Sequence, residues 1–164
     1  MRNFDTPRGA GIIPVYFGVG DTRILLVRGK HSGKWSFPKG YRENNEFLEE
    51  TAVREMKEET GIQIQRHQIS KNTLKFVNYK FWFVKFEKML DVKIQVSEIL
   101  EYKWFKLSEM KEIKINRDIR AACVGMFFYG FDRSIYPYVS FIRQNERKFN
   151  VKVKEFVPIL EPSS

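Results

Sequence analysis

Gly40-Tyr-Arg-Glu-Asn-Asn-Glu46-Phe-Leu-Glu-Glu-Thr-Ala-Val-Arg54-Glu55-Met-Lys-Glu58-Glu59-Thr-Gly61-Ile62 holds the densest information in this chain. Asn44 or Asn45 is placed to cap a helix running from about Glu46 to Thr60, and Gly61 supplies its stop. At roughly 100° per residue, Glu55, Glu58 and Glu59 share one helical face, while Ala52, Val53 and Met56 fall on another and are expected to pack on a sheet. Neighbouring carboxylates on one face repel by a few tenths of a kcal/mol per pair. A hard cation such as Mg²⁺ or Mn²⁺ removes that repulsion, because it takes carboxylate oxygens as ligands. Arg54 can hold one of these side chains in a forked pair. An acidic stripe is also common as a plain solvated helix face, so the spacing alone leaves both readings open.

Outward from this segment, β-branched and aromatic runs alternate with turn signals. Gly11 to Phe17 and Thr22 to Val27 read as strands joined around Gly18-Val-Gly-Asp21. Lys30 to Gly40 is a loop carrying Trp35 and Phe37. Leu74 to Phe86 reads as strand, a hairpin bent near Asn78, with Phe81 and Phe83 expected in the core. Lys93 to Val96 and Tyr102 to Phe105 are shorter strands. A second helix is expected over Arg117 to Phe128, with Cys123 as core packing. Mixed strands and helices without strict alternation point to an α/β or α+β fold with helices packed on a mixed sheet.

The chain has 164 residues, 43% hydrophobic and 30% charged. That suits one folded domain burying roughly 70% of its unfolded surface, and it sets disorder aside. A single Cys excludes an internal disulfide framework and fits a reducing, cytoplasmic compartment. The opening residues lack an apolar run, and the longest apolar stretch, Ala121 to Phe131, is short of the roughly 20 residues of a membrane span. The formal charge of +9 favours polyanionic partners. Its distribution is uneven. Arg42 to Gly61 holds seven Glu against three basic residues, whereas Gln63 to Gln95 holds seven Lys or Arg against two acids. A cation-holding site beside an anion-holding surface is what a metal-dependent enzyme acting on phosphates needs.

Gly40, Glu46, Arg54-Glu55, Glu58-Glu59 and Gly61-Ile62 stand at the positions specified by the Nudix box, and the whole segment resembles it. Seven positions demand one residue type; at about one in twenty each, a chance match is on the order of 10⁻⁹ per window. Trp35-Ser-Phe-Pro-Lys-Gly40 upstream and Ser97-Glu-Ile-Leu-Glu-Tyr-Lys-Trp-Phe105 downstream resemble the diadenosine tetraphosphate hydrolase and mRNA-decapping subfamilies, so the likeness covers about residues 8 to 130. It implies a Nudix domain over residues 1–133, a mixed sheet sandwiched between helices, and a C-terminal extension over 134–164. From Tyr136 to Ile142 and Asn150 to Leu160 that extension reads as an added hairpin or an arm that could form a homodimer.

The resemblance implies hydrolysis of a nucleoside diphosphate linked to another group, with Mg²⁺ or Mn²⁺. Carried onto this chain, the metal ligands are Glu55, Glu58, Glu59 and the Gly40 carbonyl, with Arg54 and Glu46 orienting them. The base that takes the proton of the attacking water is Glu98 first, Glu58 second and Glu101 third. For the substrate, Lys39, Arg8 and Arg28 or Lys30 are placed to hold phosphates, or are ordinary surface cations. Tyr79, within Phe76-Val-Asn-Tyr-Lys-Phe-Trp-Phe83, offers a ring for base stacking. The expected substrates are a dinucleoside polyphosphate or the 5′ cap of mRNA, in near-equal shares, with no membrane partner. Alternatives are a diphosphoinositol polyphosphate, an oxidised nucleotide, or a noncatalytic RNA-binding role; the last sits poorly with a box that keeps every carboxylate.

Overall fold

Apolar residues on both parities of the central strands dictate a sheet that is out of water on both faces. In the computed structural model, residues 7–18, 21–76, 78–106, 109 and 155–157 are described. They form strands β1 (Gly9–Gly18), β2 (Asp21–Gly29), β3 (Trp35–Ser36), β4 (Lys39–Tyr41), β5 (Ile69–Phe76), β6 (Tyr79–Phe86), β7 (Ile99–Lys106) and β8 (Glu155–Val157). Helix α1 (Leu48–Thr60) and a 3₁₀ turn (Arg66–Gln68) complete the set. All eight strands belong to one mixed sheet. β1 and β6 run parallel from Gly9 opposite Tyr79 to Tyr16 opposite Phe86, and the other pairings are antiparallel.

The free edge of β1 is shared. Its far end, Val15 to Gly18, pairs with β2, while its beginning, Gly9 to Gly11, pairs with β4. β1 and β2 diverge between these points. β3 pairs with β2 at Val27 and Arg28, and the Pro38 carbonyl accepts the Ile12 N–H at 3.1 Å. The loop before the box is thereby stitched into the sheet, and Gly40 lies opposite Ala10.

Side chains alternate across the sheet. Ala10, Ile12, Leu25, Trp82, Val84, Phe86 and Trp104 meet Ala52 and Met56 of α1, with Ile62 and Ile64 beyond the helix end, in one core cluster. The Trp104 indole N–H is satisfied by the Leu90 carbonyl at 3.0 Å. On the other parity Ile13, Ile24, Leu26, Phe81 and Phe83 are buried as well. The expected burial of Phe81 and Phe83 and the hairpin bend at Asn78 are borne out, although β5 begins earlier than expected, at Ile69.

Three local expectations are corrected. α1 starts at Leu48 rather than Glu46, because residues before it serve other bonds. Asn44 does not cap the helix: it sits at φ 50°, a left-handed turn conformation that Asn tolerates. The extended residue before the helix is Phe47, whose N–H is met by the Glu50 carboxylate at 3.3 Å. Lys93 to Val96 forms no strand. Its N–H groups are turned to the end of α1 instead, Lys93 to the Thr60 carbonyl at 2.9 Å and Gln95 to the Glu59 carbonyl at 3.3 Å.

The second helix expected over 117–128, with Cys123, lies outside the described residues. Of the extension 134–164 only Glu155–Val157 are described; they pair with β5, Val157 opposite Thr73. No helix among the described residues is long and apolar enough to cross a membrane.

Gly61 ends α1 at φ 73°, and its N–H reaches the Lys57 carbonyl at 2.8 Å. A Cβ there would come within 3.2 Å of Lys93 Cβ. Gly61→Ala is therefore expected to destabilise the fold by about 1–2 kcal/mol, read as a lowered midpoint in urea denaturation.

Candidate active site

Arg54 is the hub of the box. Its Nε and Nη2 form a fork on Glu46 at 2.8 and 3.0 Å. Nη1 donates to Glu55 at 3.0 Å and to both oxygens of Glu58 at 3.2 Å, and Nη2 also reaches the Tyr41 carbonyl at 3.0 Å. The Glu43 carboxylate stands 3.6 Å from Nη1. One guanidinium thus joins strand β4, the loop after it and the helix.

Glu46 is held by more than the arginine. Its Oε1 accepts the Glu43 N–H at 2.9 Å and the Thr51 hydroxyl at 3.1 Å. These bonds, the Arg54 fork above all, hold its carboxyl down to about 2, against burial, which pushes the other way. The same fork raises the Arg54 guanidinium beyond its ordinary value.

Glu59 and Glu55 are in the opposite condition. Glu59 is buried, and burial pushes its carboxyl up to about 8; the charges of Glu55 and Glu98 push it further, while the Lys39 N–H, 3.0 Å from its Oε1, opposes. Glu55 is raised first by burial and also by Glu58, with Arg54 opposing. Glu55 lies where a side chain on Gly40 would be, since a Cβ there would collide with its carboxylate. Glycine at position 40 is thus required by the close approach of helix to strand. Glu58 is more exposed than its two neighbours.

Glu55, Glu58, Glu59 and Gly40 are therefore brought together at one end of the sheet. No three His, Cys, Asp or Glu side chains among the described residues converge as a finished cation cage. Arg54 Nη1 lies between Glu55 and Glu58 and draws both toward itself. The donor chemistry nonetheless fits a hard divalent ion, because buried Glu59 and half-buried Glu55, both with raised proton affinity, gain from a positive charge.

The expected substrate residues divide. Lys39 Nζ lies 4.1 Å above the Tyr79 ring, and Tyr79 packs with Tyr41 at 5.6 Å and Phe81 at 6.0 Å. Tyr79 and Lys39 approach the sheet where Cβ atoms on Gly9 and Gly11 would point, on the parity opposite Ala10 and α1. They therefore flank the box from the other face of the sheet. Arg8 is exposed at the start of β1, where its carbonyl accepts the Arg42 N–H at 2.9 Å. Lys30 is exposed, and its N–H bonds the Glu98 carbonyl at 2.8 Å. Arg28 is spent on the Gly33 carbonyl at 3.0 Å and stands 3.7 Å from Glu101, which draws both toward a structural contact. Sequence reasoning missed Thr51 and the Tyr41 carbonyl. Thr51 could have been suspected as a hydroxyl one helical turn before Arg54; a backbone carbonyl leaves no sequence signal.

A family model described as NUDIX domain matches residues 5–123. The chain belongs to the Nudix family. The mRNA-decapping enzyme subunit 2 of Saccharomyces cerevisiae is 30% identical over 119 residues, covering 69% of this chain; the match takes in 12% of that protein's length. The asymmetrical bis(5′-nucleosyl)-tetraphosphatase of Sus scrofa is 31% identical over 107 residues, covering 60% of this chain and 73% of that one. Among solved structures, the C. elegans Ap4A hydrolase binary complex aligns at TM-score 0.59 and 23% identity, covering 75% of this chain and 98% of the other. A Nudix hydrolase from M. smegmatis aligns at TM-score 0.62 and 16% identity, covering 82% and 88%. These structural matches speak for the fold alone: the chain has the Nudix fold.

The Nudix box hub has a pH signature. Glu46 is held below the 4.5 of a free glutamate, so its share of stability is present above about pH 4.5 and lost as pH falls toward 2. Wild type should lose stability over that window more steeply than Glu46→Gln, as followed by denaturant midpoints at successive pH values; parallel curves would contradict the assignment.

Proposed function

We propose that this Nudix domain is a pyrophosphohydrolase that cleaves a dinucleoside polyphosphate of the diadenosine tetraphosphate type, with Mg²⁺ or Mn²⁺. The observation that carries the reaction class is the packing of half-buried Glu55 against Gly40 beside buried Glu59, held by the Lys39 N–H, which concentrates hard oxygen donors beside an end of the sheet where Arg8, Lys30 and Lys39 also lie. Support for the substrate comes from coverage. The dinucleotide-hydrolase relatives match over most of their own length, whereas the decapping match takes in a small part of that protein.

On this reading Glu55, Glu58, Glu59 and the Gly40 carbonyl hold the cation. Bound there, the ion would neutralise phosphate charge and lower the pKa of a water. Arg54, anchored by Glu46, keeps the Glu55 and Glu58 carboxylates in register on the helix. Glu98 takes the proton of the attacking water, with Glu58 and then Glu101 as the next choices. Lys39, Arg8 and Lys30 hold phosphates that do not react, and Tyr79 offers its ring to a base. The second reading is removal of the 5′ cap from mRNA. It is favoured by the decapping relative's identity over 119 residues and by the +9 charge.

One assay separates them: Mg²⁺-dependent hydrolysis of diadenosine tetraphosphate and cap-labelled RNA, side by side at two salt concentrations. Asymmetric cleavage of the dinucleotide with capped RNA inert is the expected result. Release of the cap nucleotide from RNA, weakening steeply with salt, would move the assignment to decapping. Glu59→Gln should abolish turnover with an unchanged circular dichroism spectrum, and retained activity would overturn the metal assignment. Glu98→Gln should slow turnover on the order of 10²-fold or more; an unchanged rate would pass the role of base to Glu58.

A further inference from the structure

The last carbonyls of an α-helix have no partner within it. In α1 those of Glu59 and Thr60 are met by the segment after Val92, through the N–H groups of Gln95 at 3.3 Å and Lys93 at 2.9 Å. Gln95 then closes the following turn: its own carbonyl accepts the N–H of Glu98 at 3.0 Å and of Ile99 at 2.8 Å. Glu98 in turn gives its carbonyl to the Lys30 N–H. One residue is therefore bonded on one side to the backbone of Glu59 and on the other to the backbone of Glu98. The left-handed turn at Gly61 makes this possible, since it lets Lys93 pass close against the helix end. The two glutamates are near enough that the charge of Glu98 is felt at Glu59.

We propose that Gln95 is a positioning residue: its backbone N–H and C=O fix the distance between Glu59 on the helix and Glu98 on the loop. This rests on the reading of Glu98 as the base. It makes the backbone of Gln95 part of the machinery, although the Gln95 side chain has no chemical role. A strand at this place, as the sequence suggested, would spend its N–H groups on the sheet and leave Glu98 without a tie to the helix.

Gln95→Pro removes the N–H that reaches Glu59. Under Mg²⁺ and diadenosine tetraphosphate, kcat should fall on the order of 10²-fold, as expected when a reacting group is displaced by about 1 Å, with KM and the melting temperature near wild type. The double variant Gln95→Pro/Glu98→Gln should be no slower than Glu98→Gln alone, since both changes remove the same contribution. Val96→Ala, which trims an exposed side chain of the same loop, should leave turnover unchanged. A folded Gln95→Pro with wild-type kcat, or losses that multiply in the double variant, overturns the positioning role. Full activity in Glu98→Gln overturns the reading of the base and this inference with it, whereas an inactive Glu98→Gln beside an active Gln95→Pro overturns the positioning alone. Should Gln95→Pro fail to fold, hydrogen exchange on the wild-type chain decides. The Lys93 and Gln95 amides should exchange as slowly as those inside α1, and exchange at unprotected rates overturns the proposal.

Discussion

The fork between Arg54 and Glu46 is the interaction on which the site depends. The stretch from Glu43 to Glu59 is rich in carboxylates, and several of them would repel if left to themselves. Arg54 gathers four of them, Glu43, Glu46, Glu55 and Glu58, around one planar cationic group. Toward Glu46 two guanidinium nitrogens engage two carboxylate oxygens, whereas Glu58 meets Nη1 alone, so the Glu46 pair fixes the orientation of the guanidinium, and the others follow. A lysine would supply the charge without the planar fork. The bond to the Tyr41 carbonyl extends the same control to strand β4 and so to Gly40.

The sheet supplies the second half of the arrangement. Because β1 and β2 diverge, a short loop and two short strands fit between them, and the backbone at Gly40 is presented directly to the helix. The same insertion separates the side chains by parity: Gly40 faces α1 and its carboxylates, whereas Lys39 and Tyr41 stand with Tyr79 on the far side. Acidic and basic groups that lie next to each other in sequence are thereby kept apart by the thickness of a strand. Lys39 is joined to both groups, to Glu59 through its backbone and to Tyr79 through its side chain.

Much of this was legible in the residues. The helix, its stop at Gly61 and the gathering of Glu55, Glu58 and Glu59 follow from helical spacing and from glycine's access to positive φ. The burial of Phe81 and Phe83 follows from the unbroken apolar and aromatic run in β6, which suits a strand covered on both faces. What was not legible concerns backbone groups and competition. Asn44 and Asn45 look like caps because their side chains can reach backbone N–H groups, but Glu46 is committed to Arg54 and the chain turns at Asn44 instead. Lys93 to Val96 has strand-like residues, yet the unpaired carbonyls of α1 claim its N–H groups. A sequence lists side chains; it does not show which carbonyl lacks a partner.

The parallel pairing of β1 with β6 carries a consequence for how the molecule comes into being. Parallel neighbours need a long crossover, and here the crossover from β1 to β6 contains β2, the inserted strands, the box helix and β5. Gly9 and Gly11 meet Tyr79 and Phe81 across some seventy residues of chain, the kind of distant pairing that slows folding because loop closure precedes any reward. The helix with its glutamates can form early, but the floor beneath it is incomplete until β6 is in place. Ala52 and Met56 of α1 pack on residues of both β1 and β6, and a helix of 13 residues gains most of its stability from such packing, so the box carboxylates are held over a finished floor only when the sixth strand closes the sheet.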